Sequence, residues 1–129
     1  MNQKPDLTGY LIDTRLSISK PVCIENSLNS LYASLHCEII TITYLPINGK
    51  EFCIIADDEG LLKPNRISAA EKGSLNPMLV GSILITSAED PDDTGHFVSL
   101  SSSDISSISE RITTVIDENG AYPVVLVDG

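Results

Sequence analysis

Three consecutive carboxylates, Asp57, Asp58 and Glu59, stand before Gly60, and Asn65 and Arg66 follow shortly after. A second acidic group, Glu89, Asp90, Asp92 and Asp93, stands before Gly95. If both groups project from one end of a sheet, their carboxylates crowd, and some pKa values rise unless a cation compensates. Calcium asks for six to eight oxygens from a flexible loop. The stretch "DPDDTG" lacks both the full D-x-[DN]-x-[DN]-G register and the distal bidentate glutamate. Asp90, Asp92 and Asp93 are thus metal candidates without a metal motif, and the expectation is no metal and no cofactor. Turn chemistry explains the same residues without a ligand: Asp hydrogen-bonds its own backbone and Gly supplies positive φ. Arg66 offers a planar guanidinium fork that suits a carboxylate or a phosphate, or that pins its loop to Asp57 or Asp58. Asp57, Asp58, Glu59, Asn65 and Arg66 are therefore the candidate interaction residues, and no catalytic residue is assigned.

The other reactive side chains form no working constellation. Cys23, Cys37 and Cys53 include no C-x-x-C pair, which removes zinc ribbons and thioredoxin-type redox motifs. Each sits among aliphatic neighbours as a small hydrophobe, a usage that fits a reducing, cytoplasmic setting. His36 adjoins Cys37, but neighbours on a strand or a helix diverge, so a thiol–imidazole dyad is not expected. His96 reads as a partly exposed imidazole at a strand start. Serines are numerous from Ser99 to Ser109, yet no G-x-S-x-G elbow and no glycine-rich phosphate loop occurs.

The surrounding chain has 129 residues with a formal charge of -10, from 18 acids against 8 Lys and Arg. That field repels phosphate backbones and anionic membranes, so direct nucleic-acid and membrane partners are not expected, whereas a basic protein is favoured. Length predicts one domain with a single core. With two Phe and no Trp, Leu, Ile and Val must fill that core, which favours strands. The N-terminal stretch "MNQKPDLTGY" has no hydrophobic signal core.

Residues 1–8 read as a polar leader. Tyr10–Ile18 reads as a first strand ended by Lys20-Pro21. Leu28, Leu31, Tyr32 and Leu35 share one helical face within Glu25–Glu38, with Asn26 or Ser27 as the cap. Glu38–Pro46 and Glu51–Asp57 are strands joined at Asn48-Gly49, a pair that tolerates positive φ at both positions. The second of them is apolar on both faces, with Cys53 and Ile55 opposite Phe52, Ile54 and Ala56, and should be central and covered on each side. Pro64–Pro77 reads as a loop with a helical turn at Ile67–Lys72. Met78–Glu89 reads as one strand with a bulge at Gly81, followed by a short strand "HFVSL". A helix capped by Ser101 and Asp104 carries a stripe of Ile105, Ile108, Ile112, Val115 and Ile116 and stops at Asn119-Gly120. Residues 121–129 form an edge strand or extended tail.

The predicted fold is α+β: a mixed, mainly antiparallel sheet with two helices packed against it, in the order β-α-β-β-(loop)-β-β-α-β. With both helices on one face, the apolar reverse face of Glu51–Ala56 asks for a cover, and a homodimer through the sheet would supply one.

The Leu-rich helix, "EIITITYLP", "DDEGLLKPNR", "LVGSILIT" and "SLSSSDI" resemble domain of unknown function 3846 across Val22–Ile108. The chain departs from that pattern in an extension before Lys20, an expanded loop from Ile67 to Leu79 and a tail after Gly120. The resemblance implies an accessory protein of phages, plasmids or conjugative elements of gut bacteria, and it brings no catalytic residue. The expected function is an acidic, non-enzymatic protein-interaction module. The alternatives are an acidic nucleic-acid mimic that inhibits a DNA-processing protein and a small carboxylate-dependent enzyme.

Overall fold

Asn48 and Gly49 sit at φ 52° and 84°, and Ile47 pairs with Lys50 across them. This two-residue turn sets the register of the hairpin that it closes. The computed structural model describes residues 6–59, 66–89, 97–118 and 120–128. Their elements are β1 (Asp6–Asp13), β2 (Ile18–Glu25), α1 (Leu28–Leu35), β3 (Ile40–Ile47), β4 (Lys50–Asp57), β5 (Ile67–Glu71), β6 (Pro77–Val80), β7 (Ile83–Ser87), α2 (Ser102–Ser109), β8 (Ile112–Asp117) and β9 (Gly120–Val127).

The protein is α+β, with mostly antiparallel strands in two sheets rather than the expected single one. The first sheet has the order β2-β1-β7-β4-β3 and the second β6-β5-β9-β8. Among the described residues only the β5–β9 pair is parallel. Phe52, Ile54 and Ala56 of β4 point with Tyr10, Ile12, Ile83 and Ile85 into a core that Ala69, Val125 and Val127 of the second sheet close. Cys53 and Ile55 point the other way, joining Leu7, Leu11 and Leu84 against Leu31 and Leu35 of α1. The strand is thus covered on both faces within the chain, which supplies the cover otherwise sought in a second copy. The two helices do not share a face: α1 lies on the outside of the first sheet, and Ile108 of α2 joins the core between the sheets.

Four sequence-based elements differ in the structure. Tyr10–Ile18 is not one strand; Asp13 accepts backbone hydrogen bonds from Arg15 and Leu16, and the chain returns as β2. Pro21 is tolerated there because β2 is an edge strand. Met78–Glu89 breaks at Gly81, φ 90°, sending β6 to the second sheet and β7 to the first. The predicted helical turn at Ile67–Lys72 is instead β5. The long second helix ends at Ser109, and "ITTVID" becomes β8 because β-branched residues gain more from strand pairing than from a helix interior. Ile116, assigned to the buried stripe, is 78% exposed.

The C-terminal strand is also internal to its sheet. Pro123 is accommodated because β5 pairs with β9 only from Val125 onward, leaving no ladder bond on that side at Pro123. "HFVSL" contributes a single bridge, between Val98 and Ser87. Among the described residues no helix is long and apolar enough to cross a membrane.

The second helix begins as expected. Ser101 Oγ accepts from the Asp104 amide and Asp104 Oδ2 from the Ser101 amide, both at 3.1 Å. Asp104 also meets Lys50 Nζ at 2.8 Å. Burial alone would push the Asp104 carboxyl up, but hydrogen bonds from Lys50 and Ser101 hold it below the ordinary carboxylate range. A carboxyl with a lower pKa in the folded state adds stability above its unfolded value of about 3.9 and loses it as pH falls through the folded value. Asp104→Asn is therefore expected to be less stable than the parent at neutral pH and equal to it in strong acid. Denaturation midpoints measured down the acid limb check this; a difference that stays constant with pH would rule out the ionised contact.

Candidate functional site

The acidic turn after β4 is held by its own backbone. Asp57 is buried, and its Oδ1 accepts from the Glu59 amide at 2.9 Å. The Asp58 amide donates to the Ile39 carbonyl at 2.9 Å, while the Asp58 side chain is exposed. Asn65, Asp90, Asp92 and Asp93 lie outside the described residues, as does His96. Among the described residues, no group of three or more His, Cys, Asp or Glu is placed to hold a metal ion.

The turn meets the end of α1. Tyr32, Ala33, His36, Cys37, Glu38 and Glu59 line an open groove of about 540 Å³. His36 ends the helix in the left-handed conformation, φ 53°, and faces solvent, with Arg15 Nη2 at 2.7 Å from its Nε2. Arginine only donates, so Nε2 is the acceptor and the neutral ring carries its proton on Nδ1. Cys37 packs with Leu31 and Leu35 in the core beneath. An imidazole committed to Arg15 at the surface and a thiol packed below it do not make a nucleophile and base. Burial pushes the Cys53 thiol up, against hydrogen bonds with Thr86 and Tyr44, so this thiol stays protonated.

Arg66 lies elsewhere. Its Nη1 donates to Ser17 Oγ in the β1–β2 connection, and its guanidinium sits 4.8 Å from the ring centre of Tyr122 on β9. The Ser17 contact joins the second sheet to the first, and the Tyr122 contact lies within the second.

Sequence reasoning missed the outer edge of β3. In the β3–β4 hairpin, Ile47 is the ladder-bonded partner of Lys50, so residues 45, 43 and 41 also turn their backbone groups inward. Positions 46, 44, 42 and 40 then turn outward, as the Asp128 amide shows by donating to the Pro46 carbonyl at 2.8 Å. Ile42 and Tyr44 are 45% and 52% exposed. They form an apolar stripe at the rim of the face that α1 covers only in part. Acids stand at both of its ends: Glu51 opposite Pro46, and Asp57 opposite Ile40 with Asp58, Glu59 and Glu38 beyond. Strand alternation puts Ile40, Ile42 and Tyr44 on one face; what the sequence lacks is the neighbour on the other side of β3.

A family model described as "Domain of unknown function (DUF3846)" matches residues 7–120. The match takes in the segment before Lys20 that had read as an extension, and it leaves the tail after Gly120 outside. No curated protein and no solved structure matches the chain.

Proposed function

The chain belongs to the DUF3846 family, and from that premise we propose that it is a protein-interaction module that docks an extended, basic and apolar segment of a partner protein along β3. The carrying observation is an edge strand whose exposed Ile42 and Tyr44 lie between two groups of acids. An added strand gains main-chain hydrogen bonds from the outward-turned positions of β3, and its alternate side chains cover Ile42 and Tyr44. Its cationic residues meet Glu51 at one end and Asp58 and Glu59 at the other. The net charge of -10 steers such a segment in and opposes a second copy of this chain on the same edge. The reading is that of a cytoplasmic accessory protein encoded by a mobile element, without catalysis.

The test uses the full chain and two synthetic peptides, one alternating Lys with Ile and one alternating Glu with Ile. The basic peptide is expected to bind, more weakly at high salt, with amide shifts centred on positions 40–45. Ile42→Lys places a cation on the stripe and should weaken it about tenfold or more, equivalent to about 1.4 kcal/mol. Equal binding of both peptides, unchanged binding by Ile42→Lys, or self-association through β3 would each overturn the proposal.

A further inference from the structure

Pro46 is the outward-turned position of β3 nearest the hairpin tip, and its main chain is already committed. Proline has no N–H, and the Pro46 carbonyl accepts from the Asp128 amide at 2.8 Å. Asp128 therefore lies beside Pro46 where the backbone of a neighbouring strand would lie, about 4.8 Å away in a regular sheet. It is held there from two further directions. Its Oδ2 accepts from the Gly49 amide at 2.8 Å. The preceding carbonyl, that of Val127 at the end of β9, accepts from the Lys72 amide at 2.7 Å. At the other end β3 begins at Ile40, shortly after His36 ends α1 in the left-handed conformation. The stretch left to a docked strand thus runs from Ile40 to Leu45, about 17 Å at about 3.4 Å per residue.

We infer that Asp128, given the reading of β3 as a docking edge on which this rests, is a stop that fixes the register of the docked segment. On an unmarked edge, a strand that slides by two residues keeps the same side chains on the same face. Alternation alone then does not choose whether a given side chain covers Ile42 or Tyr44. With Asp128 in place, sliding toward the hairpin brings the segment against a residue already bonded to Pro46. The partner segment is therefore one of no more than about six strand residues, whose chain turns away or ends level with Leu45. Its main-chain bonds fall at the outward-turned Ile40 and Ile42, and its apolar side chains seat on the exposed stripe in a single register. The acids at the two ends of the stripe attract any basic segment, and Asp128 restricts which of them can seat.

The experiment titrates the full chain with a short peptide alternating Lys and Ile, matched in length to the Ile40–Leu45 stretch, and with the same peptide lengthened by a run of threonines at either end. Backbone amide shifts give the footprint. In the parent all three peptides are expected to bind about equally, with shifts confined to positions 40–45. Asp128→Pro removes the amide that holds the Pro46 carbonyl, while the residue before a proline keeps an extended backbone. In that variant the extension that points toward the hairpin should tighten binding about threefold or more, with shifts spreading through positions 47–50. Asp128→Asn keeps the amide and a side-chain oxygen, and should match the parent. No binding of any peptide would overturn the docking edge and the stop together. Shifts that run past Pro46 in the parent, or an Asp128→Pro variant in which neither extension tightens binding, would overturn the stop alone.

Discussion

Phe52→Ala is expected to destabilise the protein by about 3–5 kcal/mol, the cost of removing a large aromatic side chain from a packed interior. Phe52 is fully buried between the two sheets, in the cluster that joins Ile54 and Ile85 of the first sheet to Val125 and Val127 of the second. Neither sheet can close over the void alone, because each contributes only one wall. Against a typical total of about 5–15 kcal/mol, such a loss brings the chain close to unfolding at ambient temperature. Urea denaturation measures it as a lower midpoint with little change in slope. Ile116→Ala, at a position 78% exposed on β8, is the control and should change stability by less than about 0.5 kcal/mol. A Phe52→Ala loss no larger than that of the control would mean that the sheets do not share this core.

Asn48→Ala is expected to cost on the order of 3 kcal/mol, for reasons that no reading of the turn alone would give. The side-chain amide of Asn48 donates to the Ser107 carbonyl at 3.1 Å and to Glu110 Oε2 at 3.0 Å, and its oxygen accepts from Arg111 Nη2 at 2.8 Å. Asp128 Oδ2 accepts from the Gly49 amide at 2.8 Å. The hairpin tip is therefore clamped by the end of α2 and by the residue after β9. Arg111 Nε is already buried without a hydrogen-bond partner among the described residues. Removing the Asn48 oxygen takes a further acceptor from a guanidinium that cannot shed its charge, and hydrogen bonds to charged groups contribute about 1.5–3 kcal/mol each. Asn48→Gly keeps the positive φ at no steric cost and loses the same hydrogen bonds. Comparable losses in the two variants, measured by denaturation, place the effect in the clamp. A nearly neutral Asn48→Gly would place it in backbone conformation instead.

The same residue separates what was legible in the chain from what was not. Asn48-Gly49 announces its turn because few residue pairs accept two successive positive φ values, and the flanking alternation then fixes which side chains of β4 face which way. The Ser101–Asp104 cap and the Leu31–Leu35 face of α1 are local in the same sense. The bond from the Glu59 amide to the Asp57 carboxylate is local as well.

Where the chain was misread, the deciding contact lay far away in sequence. "ITTVID" satisfies a helical stripe and a strand equally well over six residues, and its pairing with β9 settles the matter. Gly81 looks like a bulge until the strands on its two sides join different sheets. The candidate sites follow the same division. The sequence named Arg66 as a group suited to an anion, but only folding sets it between Ser17 and Tyr122.

The chain by itself determined the α+β class, the hairpin, both helix starts and the two-faced burial of β4, because backbone sterics and side-chain periodicity act over a few residues. The tertiary structure alone decided the division into two sheets and the open edge at β3. Each of these depends on which strands become neighbours, and that choice is made by burial summed over the whole chain.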